Sequence, residues 1–347
     1  SRNFVAITDA GTPLEALARD RGFLDCFVNP PDVGGRFSAL TYFGIVPAAL
    51  LGFDLNQLLE SAERQALSCQ VRATEKNNAL LFGWRIGAYA AQGRNKLTLL
   101  LSPEIEPLGV WIEQLLAEST GKDGRGIIPI VNEPLQHLEL YGKDRVFVAI
   151  VAKEDHALMA RCGELESAGF PVLRSMTGDT KEIGGEFFRW EFATAVAGVA
   201  LGINPFDEPD VQRSKDTTAL FLEGKNVPGQ TALTPCIREG GLSLVGEPMQ
   251  FQGLAGVAEG LRHLFKTIRQ GDYVAILAWL DENEAVRSLL ESCRAHIGGA
   301  LGVPVTLGFG PRYLHSTGQL HKGGSSAGVF LQFTAGGRAD VAIPDHD

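Results

Sequence analysis

The segment KLTLLLSPEIEPLGVWIEQLLAEST, residues 96–120, joins a continuous apolar run to a stretch with helical periodicity. A run without polar alternation predicts a strand that is covered on both faces. The following residues, 107–120, place apolar side chains three and four positions apart, which predicts a helix. A buried strand followed by a helix is the repeating unit of a parallel sheet.

The same order recurs along the chain. Five apolar strands alternate with helical segments, at KLTLLLS, RVFVAIVA, FPVLRSM, DYVAILAWL and VPVTLGFG. This alternation predicts a doubly wound α/β fold with a parallel five-stranded sheet and helices on both faces. Ligands of such sheets bind at the carboxyl ends of the strands, so we expect a binding site there.

The chain is predicted to contain two domains of unequal completeness. Residues 1–66 carry two short β-rich runs, NFVAITD and FLDCFVN, which are too few for an independent sheet. We expect this part to be the end of another α/β domain whose beginning is missing. The second domain is expected over residues 67–347, with a loop rich in glycine and proline at about 224–250.

Composition limits the classes of partner. The chain has 347 residues, is 45% hydrophobic and carries a formal net charge of −10, which disfavours nucleic acid and anionic membranes as partners. It has neither an apolar run long enough to span a bilayer nor a signal-peptide pattern, so we expect a cytoplasmic protein. Its five cysteines are scattered and never in C-x-x-C spacing, which predicts neither disulfides nor a zinc site.

A glycine-rich turn, GGRFS, could approach a ligand closely. Gly34 and Gly35 allow close contact with the backbone, Arg36 adds a permanent cation, and Ser38 ends the turn. Taken alone, the ordinary interpretation is a surface loop with an exposed arginine.

Three further segments carry candidate side chains. In QLLAESTGK, Gln114 and Glu118 are four apart and share a helix face. NEPLQHLELYG contains His137, and INPFDEPDVQRSK is a proline-rich, acidic elbow that ends on Lys215. Each of these charged or polar residues would ordinarily be a solvated surface group.

In combination, these segments resemble the glucose-6-phosphate isomerase family. DVGGRFSALTYFGIVPAALLG carries the G-G-R-[FY]-S turn, QLLAESTGK the Q-x-x-x-E-S-x-G-K helix, and INPFDEPDVQRSK the F-D-x-x-x-V-x-x-x-K elbow. TLGFGPRYLHSTGQLHKGG further resembles the isomerase half of bifunctional transaldolase/glucose-6-phosphate isomerases. The resemblance covers nearly the whole chain.

The resemblance implies a fold of SIS (sugar isomerase) type and an activity. Glucose 6-phosphate and fructose 6-phosphate would interconvert through a cis-enediol(ate), with Glu118 as the base and Arg36 facing the developing negative charge. The substrate-binding residues that correspond to the motifs are Gln114, Gly34, Gly35 and Ser38. No metal, nucleotide or organic cofactor is implied.

Ring opening and phosphate binding are less defined by the motifs. Lys215 matches the ring-opening lysine, and the family's ring-opening histidine corresponds either to His137 or to one of His315 and His321, which lie in a loop after the last predicted strand. The family's phosphate loop would lie upstream of residue 1, so we expect the chain to be part of a longer polypeptide.

Partners and alternatives follow from the same resemblance. It implies a sugar-phosphate substrate, a homodimer and, in the longer polypeptide, a transaldolase domain. The acidic net charge argues against nucleic acid and membrane as partners. Two alternatives remain open: an SIS-type module that only binds sugar phosphates, and an isomerase of another hexose phosphate.

Overall fold

A computed structural model of the protein describes residues 3–152, 155–178, 180–225 and 234–336. These residues divide into two compact units, which are described separately. The first takes the described residues of 1–132, 143–209 and 315–325, and the second those of 133–142, 210–314 and 326–347.

The described residues form strands and helices in alternation along most of their length. The strands, numbered in chain order, are β1 Val5–Asp9, β2 Asp25–Asn29, β3 Lys96–Leu101, β4 Ile128–Ile130, β5 Arg145–Val151, β6 Val172–Met176, β7 Ile237–Glu239, β8 Leu242–Leu244, β9 Tyr273–Trp279, β10 Val305–Phe309 and β11 Gly328–Thr334. The α-helices are α1 Pro13–Asp20, α2 Tyr42–Leu50, α3 Leu55–Cys69, α4 Asn78–Ala91, α5 Leu108–Thr120, α6 His156–Ser167, α7 Ile183–Leu201, α8 Pro209–Leu222, α9 Val257–Phe265, α10 Glu284–Leu301 and α11 Gly318–Gly323.

The main sheet of the first unit is parallel, in the order β4-β3-β5-β6. All seven residues of β5 are buried, so both faces of the sheet are covered. Helices α4, α5 and α7 supply one continuous apolar core with the sheet, while α6 contacts β5 and β6. A separate parallel pair, β1 and β2, lies in the same unit.

Small residues let α4 and α7 approach closely. A Cβ on Gly83 would lie 2.4 Å from the carbonyl oxygen of Ala193, and one on Gly87 would lie 2.8 Å from that of Ala197. Beside this contact, the buried Trp190 ring meets Phe82 edge-on at 5.1 Å between centroids. The close packing fixes α7, whose end leads into the candidate site described below.

The second unit contains a parallel sheet in the order β10-β9-β11 and an antiparallel pair, β7 and β8. Its core forms between that parallel sheet and the apolar faces of α9 and α10.

Among the described residues, no helix is both long and apolar enough to cross a membrane.

The predicted fold class is confirmed, but the single five-stranded sheet is wrong. Three of the five predicted strands lie in the sheet of four, and two lie in the sheet of three. An apolar run predicts that a strand is buried, but it carries no information about the neighbour with which the strand pairs. The short β4 and the later β11 were not predicted, so the loop with His315 does not follow the last strand.

The predicted domain boundary near residue 66 remains a prediction, and the compact units divide elsewhere. Part of the predicted loop at 224–250 lies outside the described residues. The described part contains β7, β8 and a short 3-10 helix, Pro248–Phe251. The polar segment 338–347 also lies outside the described residues.

The glycine packing gives a stability prediction. Gly83→Ala should lower the free energy of unfolding by about 2 kcal/mol, because its Cβ would overlap the Ala193 carbonyl and force α4 away from α7. Gly163→Ala in α6 is the control, since no atom lies within 4 Å of its added Cβ and alanine favours helix by up to about 1 kcal/mol. Urea denaturation of both variants measures the difference; equal midpoints would contradict it.

Candidate active site

Arg36 is a buried arginine at the centre of the candidate site, within a short 3-10 helix, Gly35–Phe37. Its Nε donates to Ser119 Oγ at 2.8 Å, and its Nη2 donates to the carbonyl oxygens of Pro205 and Asp207 at 3.0 and 3.2 Å. These bonds tie together three segments that are far apart in sequence.

The remaining nitrogen of Arg36 contacts two carboxylates. Nη1 lies 2.8 Å from Glu208 Oε2 and 3.3 Å from Glu118 Oε1. The Arg36 side chain is only 2% exposed, so its charge is compensated inside the protein rather than by water. Arg36 is therefore a fixed cation with two acidic neighbours.

A tight turn at residues 204–208, the 204–208 turn, follows α7 and presents these carbonyl and carboxylate groups. Its first residue shapes it: Asn204 Oδ1 accepts from the amide of Phe206, and Asn204 Nδ2 donates to Asp207 Oδ2. Pro205 packs against Gly198 of α7, where a Cβ would come within 3.0 Å of the proline ring. The turn is thus held by its own side chains and by the end of α7.

Lys122 is a second buried cation that binds the same turn. Its Nζ donates to the carbonyl oxygen of Asn204 at 2.8 Å, to the carbonyl oxygen of Asp207, and to Asp207 Oδ1 at 2.6 Å. Because an ammonium has three protons, these contacts satisfy it completely. Arg36 and Lys122 together clamp the 204–208 turn against the end of α5.

Glu118 lies in the last turn of α5 and is mostly buried. Its Oε2 accepts from Gln114 Nε2 at 3.2 Å, which confirms that the two side chains share one helix face. Burial raises the pKa of Glu118 above its ordinary value, and the charge of Glu208 adds to this, while Arg36, the Gln114 hydrogen bond and His315 oppose it. A raised pKa makes a carboxylate a stronger base, which suits it to accept and return a proton.

The cluster around Arg36 lies at the amino ends of the strands, whereas a ligand site at their carboxyl ends stays a prediction. After α5 the chain turns within residues 121–127 and enters β4, whose first residue pairs with Lys96, the first residue of β3. The amide of Ile127 donates to Thr120 Oγ1 at 2.9 Å, which joins the end of α5 to the start of β4. A helix that follows a parallel strand runs back along the sheet, so its last turn reaches the opposite edge.

The segment 315–325 packs on the end of α5. Gln319 is buried and donates from Nε2 to the carbonyl oxygen of Gly121 at 2.9 Å, and Leu320 fills the space beside that glycine. His315 is exposed and acts electrostatically on Glu118. Burial lowers the pKa of His321 to about 4, so its imidazole is neutral at neutral pH.

The glycine turn sits beside Arg36 on an open surface. Gly34 and Gly35 are exposed, and a Cβ at either would meet no atom within 4 Å. Ser38 Oγ donates to the carbonyl oxygen of Gly35 at 2.6 Å and thereby closes the turn. Trp111 of α5 donates through Nε1 to the carbonyl oxygen of Arg36 at 3.2 Å and so ties the turn to that helix.

Two predicted site residues belong to the second unit. Lys215 is exposed and lies within α8, because the helix already begins at Pro209; the predicted elbow therefore ends at Glu208 rather than at the lysine. His137 is exposed and precedes a 3-10 helix, Leu138–Leu140. The roles of Lys215 and His137 stay predictions.

Sequence reasoning missed five residues of this cluster: Ser119, Lys122, Asp207, Glu208 and Gln319. All five stand inside the quoted segments, in AESTGK, NPFDEP and HSTGQLHKGG, so their position was visible in the sequence. Their contacts were not, because each pairing joins segments 82 to 198 residues apart.

Comparisons with known proteins give similar sequences but no matching family model. No protein-family model matches the chain. Among curated proteins, a glucose-6-phosphate isomerase of Rubrobacter xylanophilus is 30% identical over 253 residues, covering 62% of this chain and 59% of that protein. One of Heliobacterium modesticaldum is 30% identical over 268 residues, covering 64% and 58%. A probable glucose-6-phosphate isomerase of Methanococcus maripaludis is 29% identical over 262 residues, covering 65% and 59%.

Two solved structures share the fold. A hypothetical protein of Thermus thermophilus superposes with a TM-score of 0.56 at 24% identity, covering 64% of this chain and 63% of that one. A glucose-6-phosphate isomerase of Chlamydia trachomatis superposes with a TM-score of 0.51 at 18% identity, covering 63% and 52%.

The chain is thus an α/β protein with parallel sheets, and it shares its fold with these two structures. In sequence, the chain is similar to glucose-6-phosphate isomerases. It spans about three fifths of the length of the curated relatives it matches, 58% to 59% in these three.

The Arg36 contacts predict that charge alone cannot replace this side chain. Arg36→Lys should lower the free energy of unfolding by about 3 kcal/mol, because an ammonium cannot reach the serine, the two carbonyls and the carboxylates at once. Arg19→Lys is the matched control, since Arg19 is 77% exposed and its pair with Glu15 contributes about 0.5 kcal/mol at most. Chemical denaturation measures both, and equal effects would contradict the role of Arg36.

Proposed function

We propose that the protein is an aldose-ketose isomerase that interconverts glucose 6-phosphate and fructose 6-phosphate through a cis-enediol(ate). The observation that carries the proposal is the pair formed by Glu118 and Arg36: a desolvated carboxylate 3.3 Å from a buried guanidinium. Similarity to glucose-6-phosphate isomerases supports the choice of substrate class.

Glu118 is proposed as the base. Moving the carbonyl from C1 to C2 requires one group to take the proton from C2 and return it at C1. Burial of Glu118 raises its pKa and so makes its carboxylate a stronger base. Gln114 orients the carboxylate through its hydrogen bond to Oε2.

Arg36 is proposed as the cation that faces the enediolate oxygen. Its rigid anchoring through Ser119, Pro205 and Asp207 supports this role, because a donor that is already fixed needs no reorganisation as charge develops. The open surface over Gly34 and Gly35 would admit the sugar beside it.

Ring opening is proposed for Lys215 together with a histidine. Of the three candidates, His321 suits the step least, because its low pKa of about 4 leaves no imidazolium to donate a proton. His315 is favoured by its electrostatic influence on Glu118, while His137 is favoured only by its motif.

The phosphate group is proposed to bind away from Arg36 and Lys122. Both cations are engaged by carboxylates and carbonyl oxygens of the chain itself. The resemblance assigns the phosphate to a separate loop rather than to either of these cations.

The wider context rests on the resemblance. We propose a cytoplasmic homodimer in which residues 1–66 complete a first SIS domain and residues 67–347 form the second. A transaldolase domain in the same polypeptide is part of this proposal.

Glu118→Gln tests the base. Turnover of glucose 6-phosphate should fall by at least about 100-fold, because the amide cannot accept the C2 proton, while substrate affinity stays similar. Glu166→Gln is the control. Glu166 is an exposed carboxylate on α6 that pairs with Arg174 of β6. A coupled isomerase assay and calorimetry measure the two quantities. If the unaltered protein binds the sugar phosphate without turnover, it is a binding module and not an isomerase.

Lys215→Met tests ring opening. Turnover of the cyclic sugar should fall by about 100-fold, whereas an open-chain substrate analogue should be converted almost normally, because it needs no proton at the ring oxygen. Lys225→Met is the control, an exposed lysine that pairs with Glu223. Steady-state kinetics with both substrates decide the matter: equal losses on both would reject the role.

A further inference from the structure

The carboxylates of Glu118 and Glu208 contact the same nitrogen of the Arg36 guanidinium. Glu208 Oε2 lies 2.8 Å from Arg36 Nη1, and Glu118 Oε1 lies 3.3 Å from the same nitrogen. The other two nitrogens are held by a hydroxyl and by carbonyl oxygens. Within the described residues, Nη1 is thus the place where Arg36 meets its carboxylates.

The backbone that carries Glu208 is held in place. The carbonyl oxygen of Asp207, the residue before it, accepts hydrogen bonds from both Arg36 Nη2 and Lys122 Nζ. Pro209 follows and begins α8. The Glu208 side chain is 37% exposed, whereas that of Glu118 is 14% exposed, so Glu208 is the partner on the solvent side of Nη1.

We propose that Glu208 is a positioning residue that acts on Glu118 through Arg36, by sharing the nitrogen that both carboxylates contact. The proposal rests on the isomerase function, in which Glu118 is the base. Glu208 itself touches no reacting atom in this account. It determines how much of the Arg36 charge stabilises ionised Glu118.

Glu208 acts on the protonation of Glu118 in two ways, and both act in the same direction. Its negative charge repels that of Glu118, and its bond to Nη1 draws the guanidinium away from Glu118. Both favour the protonated form of Glu118. The other groups that face Glu118 are Gln114 on its own helix and His315 from the segment packed on it, and both act in the opposite direction.

Lys122 and Asp207 form a neighbouring pair that balances its own charges. With both cations charged, three carboxylates in the cluster would leave an excess of one negative charge. Protonation of Glu118 removes that excess. Removal of the Glu208 charge would remove it as well, so Glu118 would then lose its proton at lower pH.

Glu208→Gln is the test, because the amide keeps an oxygen for Nη1 and removes the charge. The acid limb of the kcat/KM profile for glucose 6-phosphate should move to lower pH by about half a unit or more. Glu182→Gln is the matched control, because Glu182 is also a partly exposed carboxylate beside an arginine, Arg64. The acid limb of the kcat/KM profile of this variant should stay where it is in the unaltered protein. Glu208→Asp retains the charge and should lie between Glu208→Gln and the unaltered protein.

A purely structural role of Glu208 would lower the unfolding midpoint and leave the limb in place, which would overturn the proposal. A direct titration separates this inference from the isomerase function. An NMR titration of protein labelled with carbon-13 in the glutamate carboxyl groups follows Glu118 directly. Its signal is identified because it is missing from the spectrum of Glu118→Gln. In Glu208→Gln the pKa of Glu118 should fall, whether or not the protein turns over sugar.

Discussion

The structure of the candidate site depends on the burial of one guanidinium. Arg36 cannot be neutralised by deprotonation, so the fold must surround it with acceptors. It does so with a serine, two carbonyl oxygens and two carboxylates from two segments that are distant in sequence. The need to satisfy this charge brings the glycine turn, the end of α5 and the 204–208 turn together. Glu118 is fixed beside a cation as a consequence.

Lys122 extends the same constraint. It binds the 204–208 turn from the residues just after α5, so two cations hold one acidic turn. The Lys122 side chain is buried, so the loss of its acceptors in the turn would leave an uncompensated charge inside the protein. The rigidity of the turn is therefore coupled to the position of the carboxylate that would act as the base.

The sequence predicted the parts of this structure that depend on local pattern. Continuous apolar runs located β3 and β5, and the spacing of Gln114 and Glu118 predicted a shared helix face that the hydrogen bond confirms. It did not predict β4, because Ile-Pro-Ile is too short for any periodicity. It also extended the elbow to Lys215, because Asp-Glu-Pro-Asp is typical of a turn, although a proline in the first turn of a helix is equally ordinary. Sheet pairing and the partners of Arg36 depend on contacts between distant segments, which a single sequence does not reveal.

The central claim is that Glu118 and Arg36 face the carbons between which the proton moves. A crystal structure with a five-carbon aldonic acid 5-phosphate tests it most directly, because the planar carboxylate of this compound imitates the enediolate of a six-carbon sugar. The account predicts an oxygen of that carboxylate within hydrogen-bonding distance of Arg36 Nη1, with the Glu118 carboxylate directly beside it. A ligand bound with its carboxylate turned away from both residues would contradict the account.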